Sequence, residues 1–259
     1  MASGGCCPPG ADAYLAEPAD YVPKGTKVEL GSGLQAYLTG DSSSSKCLLV
    51  FSDVYGIDSG RHKLICDSFA AHGIFVVMPD FFRGSPPFWD GMDGLPNAFG
   101  RVKSNCLWKH IGKDALEVAL PFCLDGDKRK VGCIGFCYGS YLWTHLCAER
   151  PSISCAVAPH PSTFYMCNLA EEDDLALVEK IRCPIMMLNA AEDQVEQGPD
   201  GAYHNILKAK SFGGECVFKV FGKAHHGWTT RGDISNPDIK AALSEFMEIT
   251  SAFLLKHLQ

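Results

Sequence analysis

Short, continuous apolar runs recur along the chain, each closed by polar or turn-forming residues. They lie at 47–51 (ended by Ser52-Asp53), 74–78 (ended by Pro79-Asp80), 130–135, 155–158, 185–188 and 216–221. Runs this short, with no polar alternation, predict strands buried on both faces. Between them the apolar positions take helical spacing. Leu64, Ile65 and Phe69 predict a helix over 61–71, and further helices are expected at 114–124, 138–149 (with Pro151 beyond its end), 172–181 and 202–210. A last helix is predicted over 239–257, apolar at Ala242, Phe246, Ile249, Phe253 and Leu254. Segments 27–30 and 34–38 read as two short strands around Gly31-Ser32-Gly33. Strand and helix therefore alternate, the pattern of an α/β fold with a mostly parallel central sheet and helices on both faces. Residues 1–25 read as an irregular N-terminal arm and 26–259 as a single domain. Segment 82–100, with Gly84, Pro86, Pro87, Gly91, Gly94, Pro96 and Gly100, reads as a long irregular excursion of the kind that often forms binding loops.

Composition narrows the function classes. The 259 residues are 46% hydrophobic and 20% charged, an ordinary globular balance with enough apolar mass for a sizeable core. The formal net charge of −7 gives neither nucleic acid nor an anionic membrane surface any general attraction. No apolar run approaches the roughly 20 residues that span a bilayer. The opening residues, broken by Pro8, Pro9, Pro18 and Pro23, are not expected to act as a secretory signal. There are thirteen cysteines. Cys47, Cys133 and Cys155 sit inside apolar runs, where Cys behaves as a small core residue, so a reducing cytoplasmic setting is expected. Cys6-Cys7 suits a lipidation or redox site, or simply a flexible tail.

Candidate chemistry concentrates at Gly135-Phe136-Cys137-Tyr138-Gly139, between a predicted strand and a predicted helix. This is the G-x-S-x-G nucleophile elbow with Cys in place of Ser. The glycines give room at a sharp turn. The helix N-terminus favours a thiolate and an oxyanion. The competing reading is a buried Cys on a Gly-rich turn. An elbow enzyme carries its acid and histidine later, in that order. Asp193, with Glu192 as its neighbour, follows the run at 185–188, and His225-His226 follows the run at 216–221. Alone, Asp193 reads as a helix cap and the His pair as a solvated loop or metal site. Adjacent histidines seldom converge on one ion, and no H-x-x-x-H or C-x-x-C is present, so no metal is expected.

With these residues in place, the chain from about Asp53 onward resembles the dienelactone hydrolase (carboxymethylenebutenolidase) family, a branch of the α/β-hydrolases, and its eukaryotic-type members in particular. The shared marks are Asp53-Val54-Tyr55-Gly56, the 78–84 segment Met-Pro-Asp-Phe-Phe-Arg-Gly, the Cys elbow, Ala191-Glu192-Asp193, His160-Pro161-Ser162 and His226-Gly227-Trp228. The resemblance implies an α/β-hydrolase fold and a cofactor-free cleavage of a small, anionic ester or lactone. It implies Cys137 as nucleophile, Asp193 as acid and His226, rather than His225, as base. The oxyanion would be held by the backbone N–H groups of Tyr138 and Val54. Arg231 would bind a substrate carboxylate, against a solvated surface Arg as its competing reading, and Arg83, just past a strand, is a second candidate. Asp53, Tyr55 and Trp228 are candidates for the substrate site, with a strand-ending polar residue the competing reading of Asp53 and core packing that of Tyr55 and Trp228. Asp53 is a departure: bacterial members carry Glu there, held to help form the thiolate, and Asp is one methylene shorter. Two same-fold alternatives stand beside the hydrolase, an acyl or thioester transferase and a non-catalytic binding or sensor protein. A redox-sensing thiol protein is a further one. The expected partner is the small molecule, without nucleic acid or membrane; a homodimer is an assembly the sequence leaves open.

Overall fold

The computed structural model describes residues 11–13, 15–87 and 95–259; Cys6-Cys7 and the 88–94 portion of the excursion lie outside them. Among the described residues eight strands form one sheet in the order β1-β2-β4-β3-β5-β6-β7-β8. They are β1 Thr26–Gly31, β2 Leu34–Thr39, β3 Lys46–Phe51, β4 Phe75–Pro79, β5 Lys130–Gly135, β6 Ile153–Pro159, β7 Ile185–Ala190 and β8 Val217–Phe221. β2 pairs antiparallel with β1 and with β4, and every other pairing is parallel.

Side-chain alternation splits the apolar strands between two cores although nearly every residue is buried. Cys47, Leu49 and Phe51 of β3 join Val131 and Cys133 of β5 on one face. Leu48 and Val50 join Ile134 on the other. The first face is covered by α5 (Gly139–Glu149) through Tyr141, Leu142 and Leu146. The second is covered by α1 (His62–Ala70) through Ile65 and Phe69, and by α9 (Pro237–His257) through Phe246, Phe253 and Leu254. Each such side chain contributes about 1.5–3 kcal/mol when fully buried. The mostly parallel sheet with helices on both faces is the architecture expected.

The helical inventory departs from the sequence reading in three places. The end of the presumed irregular excursion is helix α2 (Leu95–Asn105). Pro96 sits in its first turn, where a missing N–H costs nothing, so the proline opens the helix instead of breaking it. The predicted helix over 114–124 is part of a longer run: α3 (Trp108–Asp114), a π-helical turn (Ala115–Ala119) and α4 (Leu120–Leu124). The Leu120 N–H reaches back to the Ala115 carbonyl. That wider turn admits Pro121, which has no N–H to give. The segment 172–181 yields only α7 (Asp174–Val178), while α6 (Thr163–Ala170), unseen in the sequence, precedes it. Between β7 and β8 lies α8 (Ala202–Lys208).

Chain direction positions the site. β3 has β4 on one side and β5 on the other, so the connections leaving β3 and entering β5 run to opposite sides. In an open α/β sheet this switch leaves a crevice beyond the strands' carboxyl ends, where ligands bind. Asp53-Val54 follows β3, Cys137 follows β5, His160–Ser162 follows β6, Asp193 follows β7 and His226 follows β8.

Candidate active site

The elbow has the geometry its glycines call for. Cys137 has φ +52°, a left-handed conformation that an L-residue adopts only when its surroundings hold it there. Those surroundings are dense. A Cβ on Gly135 would lie 2.2 Å from the Gly139 carbonyl oxygen, and one on Gly139 would lie 2.3 Å from that of Phe51. Only hydrogen fits at either position, so the strand can turn into α5 with Cys137 at the apex. The Cys137 N–H donates to the Pro159 carbonyl (3.3 Å), and its own carbonyl accepts from Ser140 Oγ (2.7 Å) and the Ser162 N–H (3.2 Å). The Cys137 thiol is fully buried at the N-terminus of α5. Tyr138 opens that first turn, and Val54 lies in the turn after β3.

His226 and Asp193 meet as their order in the chain predicts. His226 Nδ1 lies 2.5 Å from Asp193 Oδ1, with both side chains essentially solvent-free. The other Asp193 oxygen accepts the Ala190 N–H at 2.6 Å, which fixes the carboxylate against the end of β7. Burial alone would push the His226 imidazole down; the Asp193 carboxylate and the Cys137 side chain outweigh it and hold it well above 6.5. Glu192, the local competitor, has a different task. Its Oε1 accepts the His226 backbone N–H (2.7 Å) and lies 3.4 Å from the ring of the exposed His225. It anchors the loop, while Asp193 engages the imidazole. The N-terminal arm anchors the same loop: Asp12 N–H donates to the His226 carbonyl (2.7 Å), and Arg231 Nε donates to the Asp12 carbonyl (3.0 Å).

Ser162 stands between the two. Its Oγ lies 3.3 Å from Cys137 Sγ and 3.4 Å from His226 Nε2. Beside it, the buried His160 ring packs 5.0 Å from that of His226 and places Nε2 2.5 Å from Thr229 Oγ1. Burial, with the neighbouring His226 charge, holds His160 well below 6.5, so it stays neutral.

The expected substrate residues divide. Asp53 and Arg231 are brought together, but onto each other: they form a salt bridge with both side chains at 0% exposure. Asp53 also accepts from Thr230 Oγ1 (3.0 Å) and the Tyr55 N–H (2.9 Å), and lies 3.6 Å from His62 Nε2. The Arg231 guanidinium stacks over the Tyr55 ring at 4.7 Å. Gly227, at φ +94°, leaves the space Arg231 fills, since a Cβ there would lie 2.3 Å from Nη2. The cation expected to meet a substrate carboxylate is therefore already neutralised within the chain. Tyr55 and Asp80 line a cavity of about 230 Å³ beside this corner. Two expected substrate residues make other contacts. Arg83, at φ +52°, turns its side chain to Asp114 (2.6 Å) and the Ser32 carbonyl (3.0 Å) in the β1–β2 turn. Trp228 packs against Phe221 (4.5 Å) and Phe246 (5.9 Å) in the core under α9, because an indole this size is better buried there than at a polar crevice. His62, Thr230 and the Asp12 backbone went unread in the sequence. Ser162 was noted only as part of a resemblance, although its place just past β6 is itself the signal.

A cysteine at a strained strand–helix apex, with a carboxylate-paired histidine after the last strand of a mostly parallel sheet, is an α/β-hydrolase arrangement. Residues 34–257 match the model of the dienelactone hydrolase family, and the chain belongs to that family. It is 27% identical over 244 residues to an uncharacterised AIM2 family protein of Schizosaccharomyces pombe, covering 90% of this chain and 91% of that one. It is 26% identical over 258 residues to a carboxymethylenebutenolidase homolog of Xenopus tropicalis, covering 97% and 98%. Its fold is similar to that of a dienelactone hydrolase from Anabaena variabilis, with TM-score 0.58, 14% identity and coverage of 92% and 100%. The family supports hydrolysis of small esters or lactones. Among the described residues no helix is long and apolar enough to cross a membrane, and no cluster of His, Cys, Asp or Glu suits a metal ion.

Proposed function

We propose that the protein is a cysteine-dependent hydrolase that cleaves a small ester or lactone through a thioester acyl-enzyme. The observation that carries this reading is the left-handed Cys137 at the head of α5, coupled to a His226 whose far nitrogen is paired with Asp193. His226 takes the thiol proton and Asp193 stabilises the imidazolium. The thiolate attacks the acyl carbon. The oxyanion is held by the N–H groups of Tyr138 and Val54, donors fixed in place before charge develops. His226 returns the proton to the leaving alkoxide, and water, with His226 as base, then hydrolyses the thioester. An anionic substrate would have to displace Asp53 from Arg231, so the proposal commits to ester or lactone chemistry and not to substrate charge. We place the activity in the cytoplasm and in one domain over 26–259; the eleven cysteines among the described residues, all free thiols, support a reducing compartment.

Single-turnover reaction with activated aryl esters and simple lactones, followed by intact mass, tests this. Wild type is expected to gain one acyl group and lose it again, and Cys137→Ala to gain none. Turnover that persists in Cys137→Ala would overturn the thiol mechanism. Tight ligand binding without turnover, equal in both, would instead establish a binding protein, the reading that the closed Asp53–Arg231 pair favours.

A further inference from the structure

We propose that Ser162 is a fourth catalytic group of this site: its hydroxyl donates to the Cys137 thiolate in the resting enzyme and to His226 Nε2 once the sulfur is acylated. The inference rests on the Cys137–His226 reading and deepens it.

Three observations carry it. The hydroxyl lies 3.3 Å from Sγ and 3.4 Å from Nε2, so one proton has both reacting atoms within reach. Ser162 also occupies the N-cap position of α6 yet makes no side-chain cap there. An N-cap serine normally turns its oxygen to the N2 or N3 amide and stabilises its helix by about 1 kcal/mol; this one faces the thiol instead. Finally, its backbone is fixed to the elbow. Ser162 N–H donates to Ser140 Oγ (2.9 Å) and to the Cys137 carbonyl (3.2 Å), and Thr163 Oγ1 donates to Ser140 Oγ (3.0 Å). The hydroxyl is therefore held at full burial beside the sulfur and does not depend on a mobile loop.

The two partners are never acceptors together. With the proton on His226, Nε2–H is a donor and the negative sulfur accepts from Ser162. When Sγ bonds to the acyl carbon and the alkoxide leaves with the His226 proton, sulfur loses its charge and Nε2 gains a lone pair. The Ser162 hydrogen turns to Nε2 until the attacking water takes that place. The water proton then passes to Nε2, its oxygen bonds to the acyl carbon, the C–S bond breaks, and Ser162 returns to the thiolate. Throughout, the serine proton stays on oxygen. No acid-base equivalent is consumed.

The test reads thiolate formation apart from turnover. Iodoacetamide modification of Cys137, followed by peptide mass spectrometry, is measured against pH for wild type, Ser162→Ala and His226→Ala. A hydrogen bond to a charged group is worth enough to move the Ser162→Ala midpoint up by about one pH unit. Below the wild-type midpoint, acylation by an aryl ester should then slow about tenfold. Ser162→Cys, close in size and a weak donor, should move the midpoint the same way, and it replaces the alanine variant if that one does not fold. A midpoint unchanged in the Ser162 variants but shifted in His226→Ala overturns the Ser162 assignment and leaves the Cys–His pair standing. A midpoint unchanged in His226→Ala overturns the pair, and the Ser162 assignment with it.

Discussion

β5 and the elbow that follows it hold two cysteines of opposite character. Cys133 lies within the strand, a fully buried free thiol; Cys147 and Cys183 are buried free thiols in the same apolar core. Burial is the main cause that pushes the Cys133 and Cys147 thiols up. Cys137, just beyond the strand, is equally buried but faces an imidazole held well above its ordinary value, a serine hydroxyl and the N-terminus of α5. Solvent exposure does not separate them. The difference is the electrostatic company each thiol keeps, and that company comes from where the strand ends. Inside a sheet the neighbours are apolar side chains. At a carboxyl end they are helix termini and the residues following adjacent strands.

The largest test of the contrast is activity. Cys137→Ala and His226→Ala should each lower ester turnover by about 10³-fold or more, whereas Cys133→Ala should keep kcat within about twofold, because no proton or substrate contact depends on it. Loss of turnover in the Cys133 variant, with the fold intact by circular dichroism, would mean the two thiols are coupled. Alkylation comes next. Cys137 should react with iodoacetamide at neutral pH about 100-fold faster than any other cysteine. Its rate should stay nearly level as pH rises, since the imidazolium keeps its proton through neutrality. Cys106 offers the reference: burial lifts its thiol to about 12, so its rate should climb tenfold per pH unit across the neutral range. Even labelling of all cysteines would remove the distinction.

Stability separates the regions in the other direction. Gly135→Ala puts a Cβ 2.2 Å from the Gly139 carbonyl oxygen and should cost about 3 kcal/mol in urea unfolding. Cys133→Ala should cost about 1–2 kcal/mol by leaving a small void among apolar neighbours. The smallest effect is expected at His225→Ala, within about twofold in kcat/KM, since that ring is 63% exposed and lies 3.4 Å from Glu192. A large loss there would transfer the base role from His226.

Residues dictated by local geometry were legible in the sequence. Gly135 and Gly139 flank Cys137 because a strand cannot enter a helix at that angle with side chains on both, and such a constraint leaves a spelled motif. Asp193 and His226 were legible by order, each following an apolar run. The pairing of Arg231 with Asp53 was not, because the guanidinium's partner is chosen by packing of the β3 and β8 turns and not by neighbours in the chain. The contacts of Arg83 and Trp228 were hidden for the same reason: a residue's number says which loop it belongs to, not which way its side chain leaves. α6 stayed hidden because its buried face, through Thr163, Met166 and Cys167, offers no long apolar period. Pro96 read as part of an irregular excursion although a helix start accommodates it.

The contact of Asp12 with the His226 loop has a consequence for how the molecule is made. Asp12 and Arg231 are 219 positions apart, so the clamp over the histidine is among the longest-range closures the chain can form. Contacts of such separation form late, after the entropy of the intervening loop has been overcome. As the polypeptide leaves the ribosome, β1 through β6 have already emerged with the thiol on its elbow while the histidine is still to be translated. The elbow thiol is thus built first and the imidazole paired with Asp193 last. Until then Cys137 stands without that imidazole beside it, and the His226 loop is clamped only when Asp12 and Arg231 meet.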